Sequence, residues 1–207
     1  MLNMTRRMVI AFLLVACLAD ALVAQQRPDP SVTRIYFVRH GELDGTAPTI
    51  PLNDRGHERA AELVRVFERV ELTHVFSSHT LRSQEAVRLT AAAHGLTVMP
   101  MPRLGTVIDG HTVTEASACR LAIEPLGDAL AALPPGSAAL VGANGDNIFA
   151  VLNRLGVPLD ASCALGRACV PCLDNTCFPV EYDNLWIATL AGPGRTPDLI
   201  WLKYGTP

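Results

Sequence analysis

Charge is scarce in this chain. Of its 207 residues only 18% are Asp, Glu, Lys or Arg, against 49% hydrophobic. No basic run is present, and no stretch interleaves aromatic with basic side chains, which argues against nucleic acid as a ligand. No apolar run approaches the roughly 20 residues that a membrane-spanning helix needs. Internal repeats, low-complexity tracts and a second domain are also missing. What is left is length enough for a sizeable core and a composition that suits one compact α/β domain.

The first 24 residues stand apart. Arg6 and Arg7 precede the apolar run Met8 to Leu18, which Asp20 breaks, and small residues follow at Ala19, Ala21 and Ala24. This is the pattern of an export signal, cleaved between Leu22 and Gln25, with a domain over 25–207 to follow. Two variants stay open. Leu14-Val15-Ala16-Cys17 resembles a bacterial lipobox, which would make Cys17 a lipid anchor, and Arg6-Arg7 loosely fits a twin-arginine signal. Loss of residues 1–24 removes Arg6, Arg7 and Asp20, so 17 basic and 20 acidic residues become 15 and 19, a formal net charge of −4. The expected location is periplasmic or secreted.

The cysteines agree with export. Cys163, Cys169, Cys172 and Cys177 crowd into a loop over 160–180 beside Gly166, Pro171 and Pro179. In an oxidising compartment such a cluster reads as a disulfide-stapled loop, with three pairings that spacing does not rank. A zinc knuckle is the rival, though no histidine is nearby and the spacing is irregular. Cys169-Val170-Pro171-Cys172 has a redox motif's spacing without the helix N-terminus that would activate its thiol. Cys119 reads as a buried small hydrophobe.

Along the body, strand and helix signals alternate. Arg34 to Val38 reads as a strand ending at Arg39-His40-Gly41-Glu42. Asp54 is a plausible cap for a helix whose apolar positions are Ala60, Leu63, Val64, Phe67 and Val70. Val75-Phe76 makes a second strand closed by Ser77-Ser78, and a helix from Thr80 to Ala93 follows. A helical stretch from Thr114 to Leu133 is interrupted at Pro125. The third strand, Ala138 to Val141, runs into a glycine-flanked turn at Asn144, and a helix follows from Asn147 to Leu155. Leu185 to Leu190 and Leu199 to Tyr204 close the pattern. Repeated strand-to-helix units predict a mostly parallel sheet covered by helices on both faces, with ligands beyond the carboxyl ends of the strands.

Three of those carboxyl ends carry conspicuous residues: Arg39-His40-Gly41, then Ser77-Ser78 with Arg82, then Asn144-Gly145. Each alone has a plain reading as surface pair, solvated helix residue or common turn. Together they suggest a chemistry. Two guanidiniums facing a neutral imidazole can hold a phosphoryl group by its oxygens while the ring attacks phosphorus.

The motifs VRHGE (38–42), PLNDRG (51–56) and SSHTLRSQEA (77–86) resemble, in order, those of the histidine phosphatase superfamily, the phosphoglycerate mutase-like proteins. EYDNLW (181–186) and LKYG (202–205) are similar to endings of exported bacterial members. The resemblance implies a three-layer α/β/α sandwich with a mostly parallel central sheet, no metal and no cofactor. It makes His40 the nucleophile that becomes phosphohistidine, with Arg39 and Arg82 as the phosphate clamp. It puts Asn53 in a position that contacts substrate in some members, beside Gly41, Ser78 and Gly145. The short length argues against the larger branch of the superfamily.

One departure is plain. The superfamily's third strand ends in a second histidine, and here the aligned residue is Asn144. His79 and His111 are candidates to fill in, while His57, His74 and His94 read as ordinary helix or loop histidines. Asp109 and Glu115 are the candidate general acids, and either could instead be a turn residue or a helix cap. Glu42 reads as structural. The expectation is a slow phosphatase acting on a small phosphorylated substrate, with a degenerate phosphate-binding member as the alternative. The loops around 43–50, 103–113 and 160–180 would choose the ligand, and oligomeric state is not legible.

Overall fold

The computed structural model describes residues 29–45, 47, 49–102, 105, 107–108, 110–114, 123–157, 169–170, 178–179, 181–192 and 194–205. The chain divides into a unit Met1–Pro30, of which residues 29–30 are described, and a unit Ser31–Pro207, which carries the fold. The leader with Cys17, and also Cys119, Cys163, Cys172, Cys177, Asp109 and Glu115, lie outside the described residues. Cys169 is described in its backbone alone.

Six strands make the central sheet, in the order β10-β9-β1-β6-β2-β3. They are β1 (Thr33–Arg39), β2 (His74–Ser77), β3 (Val98–Pro100), β6 (Ala138–Ala143), β9 (Asn184–Leu190) and β10 (Asp198–Lys203). The four strands β1, β6, β2 and β3 run parallel, and β9 and β10 add antiparallel to one side. Two short hairpins stand outside this sheet: β4 (Val107–Ile108) with β5 (His111–Thr112), and β7 (Cys169–Val170) with β8 (Phe178–Pro179). The sandwich is therefore mostly parallel in its middle and antiparallel at one edge.

The strand's two-residue period sorts the core into two layers. Ile35 and Phe37 of β1 pack with Leu126 and Leu130 of helix α3 (Ile123–Ala131) and with Ile148, Phe149 and Leu152 of helix α4 (Gly145–Arg154). Val38 and Tyr36 turn to the other face, against Leu63 and Phe67 of helix α1 (Asp54–Phe67) and Val87 and Ala91 of helix α2 (Leu81–Ala93). Trp186 of β9 is fully buried and meets Phe149 edge to face, with ring centroids 5.3 Å apart. Helices thus cover both faces, and every parallel strand delivers its carboxyl end to the same edge of the sheet.

Several boundaries differ from the sequence reading, each for a local reason. The cap of α1 is Asn53 rather than Asp54: the Asn53 Oδ1 accepts from the Gly56 N–H at 3.0 Å. Asp54 is the first helical residue, where its charge suits the positive end of the helix dipole. Helix α4 starts at Gly145, two residues before Asn147, because Asn144 already has the extended backbone of a cap, and its carbonyl accepts from the Asn147 N–H at 3.1 Å. The described part of the predicted 114–133 helical stretch is α3, which opens at Ile123 with Pro125 in its first described turn; residues 115–122, on which the predicted interruption depends, lie outside the described residues.

Two close backbone approaches tie the motifs together. A Cβ on Gly41 would stand 2.8 Å from the Gly56 Cα, and a Cβ on Gly56 would stand 2.4 Å from the Glu42 carbonyl oxygen. The loop after β1 and the start of α1 therefore touch backbone to backbone, which only glycine at both positions permits. In the same way a Cβ on Gly142 would meet the Ser83 carbonyl oxygen at 2.6 Å, so β6 lies directly against α2.

Candidate active site

Register places the site. Arg39 pairs with Ala143 and Ser77 with Gly142 across parallel strands, and the chain continues the pattern one step further. The His40 N–H donates to the Ala143 carbonyl at 3.0 Å, and the Ser78 N–H donates to the Gly142 carbonyl at 2.8 Å. His40, Ser78 and Asn144 thus sit in a row at the carboxyl ends of β1, β2 and β6. All three are buried.

The His40 ring has a defined tautomer. Its Nδ1 lies 2.8 Å from the Gly41 carbonyl oxygen. A carbonyl only accepts, so Nδ1 carries the proton and the lone pair is on Nε2. Burial, together with the charges of Arg39 and Arg82, lowers the pKa of the ring to about 4, against the opposing pull of the Gly41 hydrogen bond and of Glu42. At neutral pH the imidazole is uncharged and its Nε2 carries a lone pair.

The two arginines come from two elements. Arg39 is the last residue of β1, and its guanidinium carbon lies 4.2 Å from the centre of the Tyr182 ring. Arg82 stands in the first turn of α2, and its Nη1 donates to the Ala47 carbonyl at 3.0 Å, which ties the 43–50 loop to the site. Both cations act on the His40 ring through space.

Asn144 behaves unlike an ordinary cap. It occupies the cap position of α4 without a side-chain bond to that helix, and Thr80 does the same at the start of α2. The two side chains bond to each other instead: Thr80 Oγ1 donates to Asn144 Oδ1 at 3.3 Å, and is also bonded to Ser83 Oγ at 2.8 Å. Two helix N-termini therefore face the strand edge without their cap side chains folded over the first-turn N–H groups, an arrangement that favours an anion. The bond from Thr80 takes the accepting end of the Asn144 amide and fixes which way the amide is turned.

Glu42 is structural, as its sequence position suggests. Its carboxylate takes Arg59 Nε at 3.0 Å and Nη2 at 2.6 Å, with Arg55 Nε at 3.3 Å. Burial pushes that carboxyl up, but the Arg59 hydrogen bonds and charge outweigh it, so its pKa ends below the usual value. Asn53 is committed to its helix, and its Nδ2 donates to Asp44 Oδ1 at 3.0 Å. Its side chain thus frames the 43–50 loop.

Of the candidates to replace a second histidine, His79 is buried beside Ser78 and Thr80, whereas His111 is exposed on the β5 strand. His57 is exposed on α1, and His74 opens β2 rather than lying in a helix or loop. Among the described residues no group of three or more His, Cys, Asp or Glu side chains gathers as a metal site would require. No helix of the described residues is long and apolar enough to cross a membrane. Sequence reasoning overlooked two participants. Tyr182 lies 143 residues from Arg39 in sequence, although it falls inside a motif that stood out; Thr80 was read only as the start of a helix.

Residues 35–115 match the family model of the histidine phosphatase superfamily (branch 1). The family match covers that segment of the chain, and solved structures extend a likeness of fold beyond it. That segment holds Arg39, His40, Gly41, Asn53, Ser78 and Arg82, and stops short of Asn144. A solved mycobacterial structure described as hydrolase 1 superimposes with a TM-score of 0.59 at 15% identity, covering 84% of this chain and 100% of its own. The mycobacterial glucosyl-3-phosphoglycerate phosphatase with VO3 superimposes with a TM-score of 0.55 at 16% identity, over 83% of this chain and 99% of that one. At these identities the likeness is one of histidine phosphatase fold. No curated protein sequence matches the chain. The superfamily is one of phosphatases, and so is this second neighbour.

Proposed function

We propose that this protein hydrolyses a small phosphomonoester through a phosphohistidine on His40, at a reduced rate because an asparagine stands where the superfamily pattern has a second histidine. One observation carries the reading: a buried, neutral imidazole, its Nδ1 proton held by the Gly41 carbonyl, sits within the field of two arginines. In the first step the Nε2 lone pair attacks phosphorus, the ester P–O bond breaks, and the departing oxygen takes a proton from a carboxylic acid, for which Asp109 and Glu115 are the candidates. In the second step a water oxygen attacks the same phosphorus and gives a proton to the carboxylate left by the first step, the P–N bond breaks, and the ring leaves neutral with the acid restored. Arg39 and Arg82 neutralise the phosphoryl oxygens throughout.

The asparagine sets the rate. A charged hydrogen bond contributes about 1.5–3 kcal/mol and a neutral one about 0.5–1.5 kcal/mol. The exchange costs roughly 1–2 kcal/mol of transition-state stabilisation, or about five- to thirtyfold. The uncharged Asn144 donor also favours a second reading, a member that binds a phosphorylated or anionic ligand without turnover.

The leader pattern of residues 1–24 supports a site of action outside the cytoplasm, and the four clustered cysteines support a disulfide-stapled loop there. The deciding experiment measures phosphate release from a generic aryl phosphate. The hydrolase reading expects slow release, loss in His40→Ala and an increase of about five- to thirtyfold in Asn144→His. A protein that binds phosphate while all three forms stay inert supports the binding reading instead.

A further inference from the structure

The closing motifs EYDN and WLKY have a physical purpose that the chemistry above does not use. Trp201 Nε1 donates to Asn184 Oδ1 at 2.7 Å, and Asn184 Nδ2 donates to the Glu181 carbonyl at 3.1 Å. Lys203 Nζ bridges the carboxylates of Glu181 and Asp183, the latter at 2.6 Å. The Tyr204 N–H donates to the Asp183 carbonyl at 2.9 Å. Residues 181, 183 and 184 are thereby fixed to β10 by side chain and backbone, and the residue between them is Tyr182. Its ring lies under the Arg39 guanidinium at 4.2 Å and 5.7 Å from the His40 ring, tilted by 50°.

We infer that Tyr182 is a positioning residue of this site: braced by β10, its ring holds the Arg39 guanidinium in the orientation that receives the phosphoryl group. The inference rests on the reading of Arg39 as a phosphate ligand. An arginine side chain has several rotatable bonds, and ordering it at the moment of binding costs affinity. A planar guanidinium stacked on an aromatic face is already ordered, and the attraction of the ring quadrupole for the cation holds it there. The phenol oxygen is not needed for this; the ring is.

A double-mutant cycle tests it. The forms are the full chain, Tyr182→Leu, Tyr182→Phe, Arg39→Ala and the Tyr182→Leu/Arg39→Ala pair, each first checked for cooperative thermal unfolding. The readouts are kcat and KM for an aryl phosphate, and inorganic phosphate binding by calorimetry. Tyr182→Leu is expected to weaken phosphate binding and lower kcat/KM by about 2- to 30-fold, the range of a stacked cation and ring. Tyr182→Phe, which keeps the ring, restores most of this. In the Arg39→Ala background the Leu substitution has no further effect, because the residue acts through Arg39. An equal loss in both backgrounds, or none in either, overturns the inference. Phosphate binding that Tyr182→Leu weakens, in a protein without turnover, defeats the hydrolase reading and leaves this one standing. Turnover indifferent to Tyr182→Leu defeats this one alone, and a wild-type chain that binds no phosphate defeats both.

Discussion

The lowered pKa of His40 makes stability depend on acid in a way that a single substitution removes. The ring titrates at about 4 in the folded chain and near the ordinary 6.5 once unfolded. Between those values the unfolded state binds the extra proton, so stability falls as pH drops through that window and is fully present above about 6.5. At 1.36 kcal/mol per pH unit, about 2 kcal/mol is lost by pH 5 and about 3 kcal/mol by pH 4. His40→Gln keeps a polar side chain of similar size and cannot titrate. Urea unfolding of both proteins from pH 7.5 to pH 4, with linear extrapolation to water, gives the two curves. The wild type should lose about 2–3 kcal/mol more than the variant, since acid effects from other groups are common to both. Parallel curves would mean that solvent reaches the ring, and the neutral nucleophile would go with them. If the enzyme turns over, the acid limb of its kcat/KM profile should also lie near pH 4 and not near 6.5.

Three further substitutions probe the frame of the site. Gly41→Ala puts a Cβ 2.8 Å from the backbone of Gly56, which cannot move as a side chain can; a loss of about 1–3 kcal/mol in urea unfolding is expected, with phosphate release falling as His40 shifts. Glu42→Gln removes the carboxylate charge held against the guanidinium of Arg59, only 6% exposed, and should cost on the order of 2–4 kcal/mol by the same assay. Because the Glu42 carboxyl sits below its ordinary pKa, that stabilisation is present above the unfolded value and fades as pH falls through the folded one. Thr80→Val removes the donor to Asn144 Oδ1 and frees the amide to turn; kcat/KM should drop about 2- to 12-fold, with Thr80→Ser restoring it.

Much of this protein was legible one element at a time. Apolar runs of strand length marked β1, β2 and β6, and the polar residues that end them marked the ligand edge, because side-chain period and chain direction are local properties. The strand β3, three residues long and ending in Pro100, carried too little periodicity to notice, as did the hairpin of β4 and β5. The starts of α1 and α4 were displaced by one and two residues, since an Asn before a helix reads equally as turn or cap until its backbone is seen.

What tertiary structure alone decided concerns partners far apart in the chain. Gly41 needs Gly56, Thr80 needs Asn144, and Tyr182 meets Arg39 only because β9 lies antiparallel beside β1. Residue identities supplied the imidazole, the two guanidiniums and the amide. Their tautomer, charge state and orientation come from burial and from neighbours that no linear spacing encodes, because the energies of ionisation and hydrogen bonding depend on distances through space.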